Sequence, residues 1–136
     1  MDARGVLQMR LVVEAEDYEA AVQFYRDALG LPQEGAYAGP DGAHVTILGA
    51  GRATLELANT AQKRYIDKVE VGRAVAPKYR LAFQVADSRG ATELLVAAGA
   101  ELIAGPTLTP WHSLNSRLNG AAGLQVTLFE ELDQPS

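Results

Sequence analysis

The sequence predicts an α+β fold in which one unit, a strand, a helix and two or three further strands, occurs twice in one chain. Three observations carry this. A strand-like segment ending in aspartate, Arg10-Leu11-Val12-Val13-Glu14-Ala15-Glu16-Asp17, returns seventy residues later as Arg80-Leu81-Ala82-Phe83-Gln84-Val85-Ala86-Asp87. Each copy is followed by a helical apolar stripe that stops at glycine, and each stripe by alternating apolar segments. Self-similarity at a fixed offset marks a duplicated supersecondary unit.

In the first segment of each copy, Leu11 and Val13, or Leu81, Phe83 and Val85, alternate with positions that include Arg, Glu and Gln. That is the period of a strand with two unlike faces. Asp17 and Asp87 suit helix N-caps, since a short carboxylate accepts the unpaired amides of a first turn. Behind Asp17 the stripe is Tyr18, Ala21, Val22, Tyr25 and Leu29; behind Asp87 it is Ala91, Leu94, Leu95 and Ala98. Both follow helical spacing. Gly30 and Gly99 close these helices, and Pro32 prevents the first from continuing. Residues 44–48 and 53–58 then read as strands in the first half, and 114–118 and 124–129 in the second. Gly49-Ala50-Gly51 and Asn119-Gly120-Ala121-Ala122-Gly123 are the hairpin connections. Leu55-Glu56-Leu57 aligns with Val126-Thr127-Leu128 at an offset of 71. Residues 32–43 and 104–113 are rich in turn formers and read as loops.

The domain reading is one unit, 1–136, with a first module at 7–58, a linker at 59–79 and a second module at 80–132. The linker sets Lys63, Arg64, Lys68, Arg73 and Lys78 against Asp67 and Glu70, and reads as a solvated connection with a basic face. Val69, Val71 and Val75 are available to pack part of it down.

At 136 residues, 48% apolar and 21% charged, the chain supports one core. No apolar run reaches the eighteen or so residues of a membrane span, and Met1-Asp2-Ala3-Arg4-Gly5 lacks the layout of a secretory signal, so the expected location is cytoplasmic. Cysteine is absent, which removes disulfides, thiolate metal sites and cysteine nucleophiles together. A net charge of −5 gives no general attraction to phosphate backbones or anionic lipid, so neither nucleic acid nor membrane is an expected partner. The expected partner is a small molecule.

The duplicated unit, with Phe24-Tyr25 in its first helix and Leu29-Gly30-Leu31 closing it, resembles the vicinal oxygen chelate superfamily. That family includes glyoxalase I, extradiol dioxygenases, fosfomycin-resistance enzymes and bleomycin-binding proteins. The resemblance spans residues 7–132 and is strongest from Asp17 to Leu31, at Leu55-Glu56-Leu57 and from Gly123 to Phe129. Where the family often has a DPDG-type turn, Gly120-Ala121-Ala122-Gly123 keeps only the final glycine. The resemblance implies an α+β fold of two βαβββ modules forming a cupped mixed sheet around one divalent metal, with four strands each giving a His, Gln or Glu ligand. Those positions fall here on Arg10, Glu56, Arg80 and Thr127. Arginine has no lone pair to offer and carries permanent positive charge, so two of them repel a divalent cation. The expectation is therefore no metal and no other cofactor, with a divalent metal held through Glu56 as the alternative. Family members with two fused modules commonly pair, which makes a homodimer the expected assembly.

By strand alternation Val12, Glu14, Thr54 and Ala58, together with Ala82, Gln84, Gln125 and Phe129, share the faces of the four ligand positions. Arg10, Glu56 and Arg80 admit two readings. In one, Glu56 bridges both guanidinium groups as a structural ion cluster. In the other, the surplus positive charge receives an anionic or oxygen-rich part of a ligand through forked hydrogen bonds. Glu14 is placed to neutralise part of that surplus. His44 and His112 lie at strand entrances, where a metal site shared with Glu56 is conceivable. No nucleophile, base and orienting group surround His112, so no catalytic residue is assigned. Trp111 reads either as a loop anchor packed on the neighbouring helix or as a flat wall for a ligand at the mouth of the cup, and Arg117 lies further along the strand that follows it. Thr127, Gln84 and Gln125 complete the expected ligand-binding set. The expected function is metal-free binding of a small organic molecule in the cup, similar to the family's drug- and metabolite-sequestering proteins. The alternative is a glyoxalase I-like lyase or isomerase, or a dioxygenase, acting on a small oxygenated substrate.

Overall fold

In the computed structural model, which describes residues 3–133, both copies fold as strand, helix and three strands. The first comprises β1 (Gln8–Glu14), α1 (Tyr18–Val22), β2 (Gln33–Ala38), β3 (His44–Ala50) and β4 (Ala53–Ala58). The second comprises β5 (Tyr79–Gln84), α3 (Ser88–Ala97), β6 (Glu101–Leu108), β7 (Ser113–Asn119) and β8 (Gln125–Glu131). Between them lies α2 (Thr60–Glu70). The Asp17 carboxylate accepts from the Ala20 amide and that of Asp87 from the Gly90 amide, so both aspartates cap as their spacing predicts. After α1 the chain widens into a π-helical stretch, Gln23–Ala28, and Leu29 donates to the Phe24 carbonyl. The wider turns shift the stripe read as one α-helix and leave Phe24 and Leu29 exposed.

All strands join one eight-stranded sheet in the order β2-β3-β4-β1-β5-β8-β7-β6. β1 and β5 pair antiparallel at its centre, and each then pairs parallel with the last strand of its own copy, β4 or β8. The duplication thus places equivalent residues about one central axis. On the outer face α1 covers Leu48, Leu55 and Leu57, while α3 covers Leu118, Val126 and Leu128. Burying these side chains is the main apolar drive for closing each copy.

Three segments depart from the sequence reading. The loops expected at 32–43 and 104–113 contain the two edge strands, β2 and part of β6. Gly35, Ala36 and Ala38 give β2 too little apolar contrast to alternate, and Pro106 sits on an edge, where a missing backbone donor is tolerated. The solvated connection expected at 59–79 is largely helix α2, with Asp67 and Glu70 buried rather than exposed. Among the described residues no helix is long and apolar enough to cross a membrane.

Candidate functional site

The inner face of the sheet is concave. The β1–β5 register sets Arg10 against Ala82 and Arg80 against Val12, so the arginines share this face, one step apart along the central pair. The parallel pairings bring Glu56 opposite Val12 and Thr127 opposite Ala82. Arg10, Glu56, Arg80 and Thr127 therefore meet on one floor. Over it opens a cleft of about 630 Å³, within the range of small-molecule sites. Phe129 and Ala82 continue the floor, Ile66 and Glu70 of α2 form a wall, and Tyr37, Tyr65 and Trp111 stand among its lining.

The two arginines are in unlike states. Arg10 is engaged on every side: its Nη1 lies 3.5 Å from Glu56 Oε1, its Nη2 3.6 Å from Glu131 Oε1, and its Nε donates to Gln8 Oε1 at 2.9 Å. Its guanidinium also sits 4.8 Å from the centre of the Phe129 ring, a cation–π contact. Arg80 is only 8% exposed and donates from Nη1 to Thr127 Oγ1 at 2.8 Å. Among the described residues no carboxylate pairs with Arg80 directly, and neither Nε nor Nη2 has a protein acceptor. Nor are those two nitrogens sealed away, because Thr54 Oγ1 is the one fully buried, unpartnered side-chain polar atom among the described residues. Burial pulls the Arg80 guanidinium below its ordinary pKa. Glu70 opposes that shift across the cleft wall, while Arg117 adds to it.

The bridging of both arginines by Glu56, one of the two sequence readings, is absent; Glu56 pairs with Arg10, and the repeat-equivalent bond from Arg80 goes to Thr127. This donor set does not fit a divalent metal. Two of its four members are cations, Glu56 is already committed to Arg10, and among the described residues no three His, Asp or Glu side chains converge.

Other expected site residues lie elsewhere. Arg117 stands on the same face beside Thr127 but is fully buried under α2, with Nη1 2.8 Å from Asp67 Oδ1 and Nη2 2.7 Å from Glu70 Oε1. Gln125 accepts from the same Nη1 at 2.9 Å and is part of that buried cluster. Gln84, at the end of β5 opposite Gln8, is outside the cleft lining. His44 is exposed on the far side of β3, stacked against Tyr18, whose hydroxyl bonds that of Thr46. His112 does line the cleft, beside Trp111 on a tight turn held by Thr109 and Ser113.

Glu14 ties β1 to α2 instead of facing the cleft. It accepts from Thr60 Oγ1 at 2.7 Å and from Lys63 Nζ at 3.2 Å. The Thr60 hydroxyl bond, helped by Lys63, holds its carboxyl below the ordinary value of 4.5. A depressed carboxylate adds stability above its unfolded pKa and loses it as pH falls through the folded one. Thr60→Val is therefore expected to cost about 1–2 kcal/mol at neutral pH, with the loss shrinking in acid, as read from urea midpoints across pH.

Sequence reasoning missed Tyr37, Tyr65, Glu70 and Asn115, because each sits on or against an element not recognised from the sequence or points inward through α2 contacts. A usable signal existed. Asn59, whose Oδ1 accepts from the Gln62 amide at 2.8 Å, begins a run free of glycine and proline that ends before Gly72.

The glyoxalase/bleomycin resistance protein/dioxygenase superfamily model matches residues 8–128. No curated protein matches the sequence. The fold is similar to that of the hypothetical protein BH1468 from Bacillus halodurans C-125, with a TM-score of 0.72 at 16% identity over 98% of this chain and 99% of that one. It is also similar to methylmalonyl-CoA epimerase from Mycobacterium tuberculosis, with a TM-score of 0.62 at 20% identity over 96% and 90% of the two chains. A superfamily member from Vibrio splendidus 12B01 gives a TM-score of 0.62 at 12% identity over 91% and 98%. Duplicated modules, one shared sheet and a cleft over the four equivalent strand positions agree with a family match that spans nearly the whole sequence, and the chain belongs to the glyoxalase/bleomycin resistance protein/dioxygenase superfamily.

Proposed function

We propose that the protein binds a small organic molecule carrying an anionic group, holds it in the cleft without a metal, and serves by sequestering it. The observation that carries this reading is the Arg80 guanidinium, nine-tenths buried, with its Nε and Nη2 donors left without protein acceptors. A buried cation without a paired anion is costly, and an incoming oxyanion that accepts both donors supplies the missing partner. Arg10 contributes shape and keeps Glu56 neutralised, so the single open cation at the floor is Arg80 among the described residues. Retention of a ligand needs affinity alone, and the floor offers an anchor without a visible nucleophile or metal donor set. A homodimer belongs to the same reading, since Val6, Leu7 and Met9 around the start of β1, and Tyr79 at the opposite end of the central strand pair, leave apolar side chains exposed.

Elemental analysis joined to native mass spectrometry of the purified protein tests this. The expected result is no stoichiometric zinc, nickel, iron or manganese, a dimeric mass, and an acidic organic molecule released on denaturation. About one metal per chain, lost on Glu56→Ala, sinks the metal-free reading in favour of a metal-dependent lyase, isomerase or dioxygenase.

A further inference from the structure

The geometry points to a planar aromatic monocarboxylate as the ligand class; this rests on the reading of Arg80 as an anion receptor and goes on to specify what the anion is attached to. Three features of the cleft combine. The first is the shape of the free donor edge. With Nη1 committed to Thr127, the donors that remain are Nε and Nη2, the side-on pair of a guanidinium. Arg117 uses that same pair on Glu70, and Arg26 uses it in a fork across both oxygens of Asp27. Two parallel donors match the two oxygens of a carboxylate.

The second feature is the aromatic lining. Trp111 and Tyr65 stand with ring centres 6.1 Å apart, tilted by 56°, and both line the cleft with Tyr37. Trp111 remains 40% exposed at the tip of its turn, and Tyr37 61% exposed on the edge strand, so both have ring surface still to cover. Flat rings are covered best by another flat ring, which gains edge or face contact beyond plain burial. Val45, Ile47 and Ala82 add apolar surface and no further cation.

The third feature is charge. Apart from Arg80, the ionised groups lining the cleft are Arg10, Glu56, Glu70 and Glu131. Arg10 faces two of those carboxylates and Arg117 neutralises Glu70 only in company with Asp67. One negative charge on the ligand meets Arg80; a second, at the opposite end, meets this surrounding acidity and is repelled. The cleft is thus selective for one carboxylate and against diacids and phosphate esters.

Calorimetric titration of the full chain with four probes tests the inference: 2-naphthoate, its amide, the saturated decahydro-2-naphthoate, and naphthalene-2,6-dicarboxylate. The naphthoate is expected to bind roughly tenfold or more tightly than each of the others, and Trp111→Ala to weaken it by about tenfold or more while weakening the saturated acid by a clearly smaller factor, since that ligand loses apolar burial but no ring-to-ring contact. If the saturated acid or the diacid binds as tightly as the naphthoate, or Trp111→Ala changes nothing, the aromatic monocarboxylate assignment is overturned while anion binding at Arg80 stands. If neither monocarboxylate binds at millimolar concentration, or the amide binds as well as the acid, the anion-receptor reading itself fails.

Discussion

Arg117→Met is expected to lower folding stability by about 3–5 kcal/mol, more than the loss of either arginine on the cleft floor. The side chain is fully buried and donates to Asp67, to Glu70 and to Gln125, so three acceptors lose a donor together. Methionine keeps an unbranched stem and most of the packing, but it leaves two buried carboxylates of α2 with no cation paired to them. The damage extends along the chain. Asp67 Oδ2 also accepts from the Val75 and Ala76 amides, each at 2.9 Å, and Glu70 Oε2 accepts from Asn115 Nδ2 at 2.7 Å. These bonds fix α2 over the cleft and join it to β7 and to the segment that enters β5. Urea unfolding measures the effect, as a lowered midpoint with an unchanged slope. A loss below about 1 kcal/mol, the size of an exposed ion pair, contradicts the buried-cluster description.

Arg80→Met is expected to do the reverse: little to stability and much to binding. Removing this guanidinium takes away one hydrogen bond, to Thr127, worth about 1 kcal/mol, and also takes away a buried cation that no carboxylate pairs directly. The two changes oppose each other, so the melting temperature should stay near the parent's. Binding of an anionic ligand should fall by roughly 1.5–3 kcal/mol, the range for hydrogen bonds to a charged group. Two arginines on one floor thus have separate tasks. Arg10 is held among Gln8, Glu56, Glu131 and Phe129, whereas Arg80 is held at one corner and open at the other.

Much of this was legible in the sequence because duplication repeats its own evidence. The strands that begin near Arg10 and Arg80, their capping aspartates and the paired Glu56 and Thr127 strands stand where the offset puts them. The four-residue floor came from the ligand positions that the family resemblance implies, and strand alternation keeps each of them on one face of its strand. What escaped were elements whose signal is tertiary. α2 has few apolar residues, and its inward face includes Asp67 and Glu70, which a hydrophobic pattern assigns to solvent; only the buried Arg117 two strands away makes them interior. For the same reason Arg117 read as a ligand contact. A lone arginine in a strand does not announce its carboxylates when they lie about fifty residues earlier in the chain. Glu14 shares the alternation of Arg10, but it sits where β1 meets the start of α2, and Thr60 and Lys63 claim it.

Whether the ligand is received by Arg80 or by a metal is read most directly by titrating the parent and Arg80→Met with 2-naphthoate, first with a chelator present and then with excess zinc. Arg80 as receptor predicts the same affinity for the parent under both conditions and a loss of about ten- to hundredfold in Arg80→Met under both. Binding that vanishes with the chelator, returns with zinc and is equal in Arg80→Met contradicts it.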